Sequence, residues 1–310
     1  MKRTIKDFLV IGIKGMGMGA ADIVPGVSGG TIAFITNIYE ELIDSIKSIN
    51  LASLKLLFGK NGIAEFWKAI NANFLLSVFI GIAVSVFSLA KVLKIALEQY
   101  PVMVWAFFFG LIIASAIIIA GGIKKWNIST VISLLVGIVI AYFITVLTPA
   151  STPEAYWFVF LCGALAICAM ILPGISGAFI LLLLGKYKFI LEAVNDFNIV
   201  IILIFMVGAV VGLLSFSNVL SFFLKKYHKQ TIALLAGFMI GSLNKVWPWK
   251  ETIEWGVDSH GEKIALIQNN ILPAKFALLN GESFFIWAVL LSILGFIFII
   301  VIEKVTKKKH

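Results

Sequence analysis

The sequence predicts an all-α polytopic membrane protein built as an inverted-topology repeat, each half a re-entrant helical hairpin followed by three transmembrane helices. Three observations predict it. The 310 residues are 61% hydrophobic and only 13% charged, with a mean hydropathy of +1.05, where a soluble domain carries roughly a quarter charged residues. Apolar runs of about 20 residues recur, as the bilayer demands. Two further apolar regions are broken in the middle by nearly the same motif, and those breaks fall at equivalent places in the two halves. Strands of a membrane barrel would alternate polar and apolar residues, and these runs do not.

The first half, 1–150, opens on a broken region at about 8–46. Its centre reads MGMGAADIVPGVSGGTIAFI, Met16 to Ile35. Pro25 lacks a backbone N–H and disfavours helix in the residue before it. On either side only about 10–15 residues suit a helix, too few to cross ~30 Å at 1.5 Å per residue. The region therefore predicts a re-entrant hairpin. An amphipathic loop at about 47–72, carrying Trp67, suits the membrane surface. Spans are expected at about 74–97, 101–122 and 128–148. The second half, 151–310, repeats the order: a hairpin at about 157–195, then spans at about 199–224, 230–247 and 284–303. Its break reads ICAMILPGISGAFILLLL, Ile167 to Leu184.

Without gaps, Gly15 aligns with Gly163, Pro25 with Pro173, Gly26 with Gly174, Ser28 with Ser176, Gly29 with Gly177 and Tyr39 with Tyr187. Asp44 meets Glu192. The next helices match as well: GIAVSVFSLAKVL at 81–93 resembles GAVVGLLSFSNVL at 208–220. Three spans per half is an odd number, so the halves enter from opposite sides, a transporter design whose binding site lies near the midplane between broken helices.

Charge sets the orientation. Basic residues flank the first broken region on both sides (Lys2, Arg3, Lys6; Lys47, Lys55, Lys60, Lys68), as a re-entrant segment with both flanks inside would require. Lys124 and Lys125, Lys225 and Lys226, and the lysine-rich tail then also fall inside, with both termini cytoplasmic. The exceptions are Lys186, Lys188 and the mixed-charge loop at 248–282. The net charge of +9 thus reflects cytoplasmic loops and implies no nucleic-acid partner. The apolar run from Phe8 to Ile13 is too short for a cleaved signal, and Lys14 closes it. Cys162 and Cys168 read as small core residues, and His228, His260 and His310 are too scattered for a metal site.

The breaks carry the chemistry. After each proline a Gly-x-Ser-Gly permits a tight turn and close approach. Ser28 or Ser176 then suits the N-cap of the next half-helix. The first N–H groups of that half-helix lack intrahelical partners and, in hydrocarbon, cost several kcal/mol each if unmet. The serine hydroxyl, water or an anion can satisfy them, and a helix N-terminus favours the anion. The candidate binding residues are Lys14, Asp22, Gly26, Ser28, Gly29, Gly30 and Thr31 in the first region and Gly174, Ser176 and Gly177 in the second. Ionisable residues within membrane segments are functional candidates by default. Lys14 can neutralise an anionic headgroup. Asp22 can carry a coupling H+ or Na+, and the two can instead pair with each other. No other cofactor is expected. Gly30 and Thr31 make the first turn more polar than the second, which has Ala178 and Phe179. Lys91 and Lys94 fit snorkelling as well as substrate binding.

The segments KGMGMGAADIVPGVSGGTIAFITNIYEELIDSI and LPGISGAFILLLLGKYKFIL together resemble the DUF368 family of bacterial and archaeal membrane proteins, over nearly the whole chain. Members are identified as polyprenyl-phosphate (undecaprenyl-phosphate) translocases. Inverted repeats with re-entrant hairpins are expected of that family and of the similar DedA-type transporters. Asn37 and Ala178 stand where a glycine and a serine are usual, and neither change removes a backbone N–H. The resemblance implies a flippase in the bacterial cytoplasmic membrane, with a polyprenyl phosphate and membrane lipids as partners. It would return the cell-wall carrier lipid to the inner leaflet. An ion-coupled transporter of a small soluble anion is the competing reading. An enzyme is disfavoured because paired catalytic carboxylates, metal ligands and a nucleophile with its base are all missing from the pattern.

Overall fold

In a computed structural model, residues 3–24, 27–60, 62–150, 152–257 and 263–307 are described. The first half begins with α1 (Ile5–Ile23), which ends two residues before Pro25. A break leads into α2 (Gly29–Ile35) and then α3 (Tyr39–Lys47). Two short helices follow, α4 (Leu51–Leu56) and α5 (Gly62–Ala69), before the long α6 (Ala72–Gln99), α7 (Pro101–Gly121) and α8 (Ile128–Val146). The second half runs through α9 (Tyr156–Ile171), α10 (Gly177–Leu183), α11 (Tyr187–Asn195), α12 (Ile199–Lys226) and α13 (His228–Ser242). It ends with a two-stranded antiparallel ribbon, β1 (Lys250–Val257) and β2 (Lys263–Asn270), then α14 (Pro273–Asn280) and α15 (Phe285–Lys307).

Among the described residues, five helices are long and apolar enough to cross a membrane: α6, α7, α8, α12 and α15. Their outer faces carry exposed Phe87, Val139, Leu203 and Ile297, a surface that only lipid suits. The chain is a multi-pass membrane protein.

Two expectations need correction. The stretch at 230–247 forms a helix of only 15 residues, about 22 Å long, because Asn244, Lys245 and Pro248 follow Ser242. Nor is the fold purely helical. The loop at 248–282 carries the ribbon β1–β2, whose β-branched and aromatic residues (Thr252, Ile253, Trp255) suit a strand, and whose charged residues masked that signal in a hydropathy reading.

The breaks obey local chemistry. Ser28 is extended and its Oγ accepts from Gly30 N–H at 3.1 Å, starting α2. Ser176 is extended in the same way before α10. Each short helix then ends in a residue at positive φ, Asn37 at 56° and Gly185 at 63°, which are equivalent positions. Asparagine and glycine are the residues that tolerate that region.

The two halves repeat the same close approaches. A Cβ on Gly15 would lie 2.4 Å from Val78 O, and one on Gly163 would lie 2.1 Å from Phe205 O. Gly81 abuts Gly12, and its equivalent Gly208 abuts Phe160. Backbones meet because small residues let them, the usual basis of helix association in lipid. The later helices exchange partners between halves. Gly110 of α7 faces Ser292 of α15, and its equivalent Gly237 of α13 faces Leu134 of α8. Thus α7 pairs with α15 and α8 with α13, and the core lies where those pairs and the two breaks converge.

Candidate functional site

The two breaks meet. Ser28 O–H donates to Met170 O at 2.9 Å, Tyr39 O–H donates to Ile171 O at 3.1 Å, and Gly174 N–H donates to Thr31 Oγ1 at 3.2 Å. Met170 and Ile171 close α9, so the first hairpin satisfies carbonyls that have no partner within that helix. Gly30 sits so near Ile171 that an added Cβ would be 2.4 Å from its carbonyl oxygen. Only glycine fits there. Ser28 and Thr31 are fully buried.

Helix α2 is held at both ends by α1. Asp22 Oδ1 accepts from Gly29 N–H at 2.7 Å, and Lys14 Nζ donates to Thr36 O at 2.6 Å. A carboxylate thus faces the positive end of the short helix and an ammonium faces its negative end. Lys14 and Asp22, about 12 Å apart along α1, serve opposite ends of α2.

The structure therefore brings together Asp22, Ser28, Gly29, Gly30, Thr31 and Gly174. Lys14 stands at the far end of α2. Ser176 is buried, but its side chain caps no amide, and Gly177 packs on α9, where a Cβ would lie 2.6 Å from Ala166 O. Gly26 lies outside the described residues.

The breaks are unequal. Ser28 and Tyr39 bond across to the second break, whereas Tyr187, equivalent to Tyr39, lines a cavity of about 840 Å³. This cavity lies between the α6–α7 turn, the exposed side of α10 and α11, and the segment 245–252. The opposite end of the molecule carries ion pairs between the two halves. There Asp44 of α3 pairs with Lys225 at 2.9 Å and accepts from Ser221 at 2.8 Å, while Glu40 meets His228 at 2.9 Å. Arg3 and Asn71 bond Glu41 at the same end. The start of α6 and the last turn of α12 therefore come to one end of the molecule.

Two lysines were missed by the sequence reading. Lys245 and Lys250 both line the large cavity and a second of about 220 Å³. Lys245 Nζ lies over the Phe179 ring at 4.4 Å, and Lys250 Nζ over the Trp105 ring at 3.7 Å. Burial, with the Lys245 charge second, holds the Lys250 ammonium well below the usual lysine range. The available signal was a lysine in the last turns of an apolar run. Lys245 falls inside the span expected at about 230–247, and Lys250 falls in the mixed-charge loop at 248–282.

Two interrupted helical regions that bond to each other, with a large cavity towards one end of the long helices and ion pairs at the other, lie inside a polytopic membrane protein. Residues 18–264 match the family described as VCA0040-like, undecaprenyl phosphate translocase-like, and the chain belongs to that family. It is 45% identical over 303 residues to the polyprenyl-phosphate transporter of Vibrio cholerae serotype O1, covering 97% of this chain and 98% of that one. It is 32% identical over 257 residues to the polyprenyl-phosphate transporter of Staphylococcus aureus, covering 76% and 85%. No solved structure matches the chain.

Proposed function

We propose that this protein carries undecaprenyl phosphate across the bacterial cytoplasmic membrane, returning the carrier lipid to the inner leaflet, and that it is a transporter and not an enzyme. The observation that carries the reading is the crossing of the two breaks, with a large cavity beside the second break, lined by Ala178, Phe179 and Tyr187. The relatives named polyprenyl-phosphate transporter and the family described as undecaprenyl phosphate translocase-like support this substrate. Moving a bare phosphate through hydrocarbon costs tens of kcal/mol by continuum estimates, so its path must be lined, while the tail stays in lipid.

In this reading each half is a re-entrant hairpin plus three spans, and the halves are inverted. The partner exchange of α7–α15 with α8–α13 supports that, as does the meeting of the start of α6 with the end of α12. Both termini are cytoplasmic. The tied end is then the cytoplasmic gate, and the cavity opens outward.

The start of α2 already holds a carboxylate oxygen. The phosphate displaces Asp22 from Gly29 N–H, and Asp22, once released, takes up the coupling H+ or Na+. The two helix starts in turn lend their amides, with Ser28, Gly29, Gly30 and Thr31 on one side and Ser176 and Gly177 on the other. Inward opening exchanges the roles of the halves. Tyr187 O–H then reaches Ile23 O, the position equivalent to Ile171 O, and Tyr39 lets go.

The test is reconstitution in vesicles with undecaprenyl phosphate, read by a leaflet-selective probe, with pH and sodium gradients varied separately. The phosphate lipid is expected to change leaflet only when the protein is present, and Asp22→Asn is expected to abolish the response to one of the two gradients. Uptake of inorganic phosphate with no lipid movement would instead select the soluble-anion transporter.

A further inference from the structure

We propose that Lys245 and Lys250 form a receiving site for a phosphate monoester at the mouth of the cavity, ahead of the crossing of the breaks; this rests on the carrier reading above. Both ammonium groups lie on the wall shared by the two cavities. Each sits on an aromatic face contributed by a different half of the chain, Lys250 on Trp105 of α7 and Lys245 on Phe179 of α10.

An ammonium has three N–H donors. Lys250 uses one, at 2.6 Å to Lys245 O. Among the described residues, the other donors of both lysines meet no acceptor, and no ion pair joins either lysine to a carboxylate. The cavity does contain two carboxylates, but Glu251 is paired with Lys275 at 2.7 Å and Glu98 is exposed.

Two neighbouring, partly desolvated cations without a counter-charge are costly to fold. A ligand that satisfies both must be anionic, must accept several hydrogen bonds and must enter from the cavity. A phosphate monoester dianion has the charge of both lysines and oxygens for their spare donors. A lipid or inorganic phosphate can supply that group. The lipid has a place for its chain: an apolar groove of about 390 Å³ between α7 and α15, floored by Trp247 and Trp249, shares Pro248 with the cavity.

The test measures equilibrium binding of radiolabelled undecaprenyl monophosphate, undecaprenol and inorganic phosphate to the purified full chain in nanodiscs. Lys245→Gln and Lys250→Gln are each expected to weaken monophosphate binding at least about tenfold and to leave undecaprenol binding unchanged. Lys250→Arg keeps the charge and is expected to bind as the parent does, as is Lys55→Gln on exposed α4. Melting temperatures of the glutamine variants are expected to match or exceed the parent's, because a repelling buried charge is gone.

Parent-like monophosphate binding by both glutamine variants would overturn the site and leave the carrier reading standing. Lysine-dependent binding of inorganic phosphate, with no binding of the lipid, would uphold the site and overturn the lipid reading. Loss of binding with a lowered melting temperature that Lys250→Arg fails to restore would also overturn the site, since the lysines would then be structural.

Discussion

Asp22 has a structural role in the contacts it makes and a second, coupling role in the proposed cycle. Its carboxylate accepts the Gly29 amide that starts α2. Capping contacts of this kind contribute about 0.5–2 kcal/mol. Asp22→Ala is expected to destabilise the protein by that amount and so to lower its melting temperature. Asp22→Asn keeps an amide oxygen in place and is expected to cost less, while still losing the response to a coupling gradient. Thermal melts of both variants beside the vesicle assay separate the two roles. At this scale the sequence was informative about type and silent about pairing. Lys14 and Asp22 stood out because charges are rare in apolar helices. That they bind opposite ends of α2 depends on where the chain after Pro25 folds back.

Among the elements, the crossings α1–α6 and α9–α12 depend on glycines placed where two backbones touch. Gly15→Leu and Gly163→Leu put a side chain against Val78 O and Phe205 O, at 2.4 and 2.1 Å for the first carbon alone. Overpacking of this kind costs about 1–3 kcal/mol or more, so both variants are expected to melt earlier than the parent. Gly121→Leu, with nothing within 4 Å of its Cβ position, is expected to leave the melting temperature unchanged. The ungapped match of the two glycine-rich breaks was legible in the sequence. The ribbon β1–β2 was not, because a short hairpin of mixed charge has no hydropathy signature. The short length of α13 was equally hidden, since an apolar run continues past the residue where its helix stops.

At the scale of the whole molecule, the proposed cycle exchanges two arrangements, of which the structure is one. Tyr39 O–H bonds Ile171 O while Tyr187 faces the cavity, so the two tyrosines are expected to favour opposite states. Tyr39→Phe removes a hydrogen bond worth about 1 kcal/mol from the state seen here, and Tyr187→Phe removes one from the other state. With both native cysteines replaced by serine, a cysteine at Ala178, which lines the cavity, reports opening to an impermeant maleimide. Labelling from outside is expected to fall with Tyr39→Phe and to hold or rise with Tyr187→Phe, with ~1 kcal/mol shifting the ratio of the two states about fivefold. Equal labelling in all three proteins would rule out the exchange of roles.

By itself the sequence determined that this chain is a membrane protein, where its apolar helices run and that two matching breaks interrupt it, since hydropathy, proline and glycine act over a few residues along the chain. Only the tertiary structure decided that the breaks bond to each other, that the first is engaged while the equivalent Tyr187 of the second lines a cavity, and that Lys245 and Lys250 share that cavity's wall. The bonds between the breaks join residues more than a hundred positions apart, the cavity wall gathers residues from both halves, and near-identical motifs can take up unequal contacts once their surroundings differ.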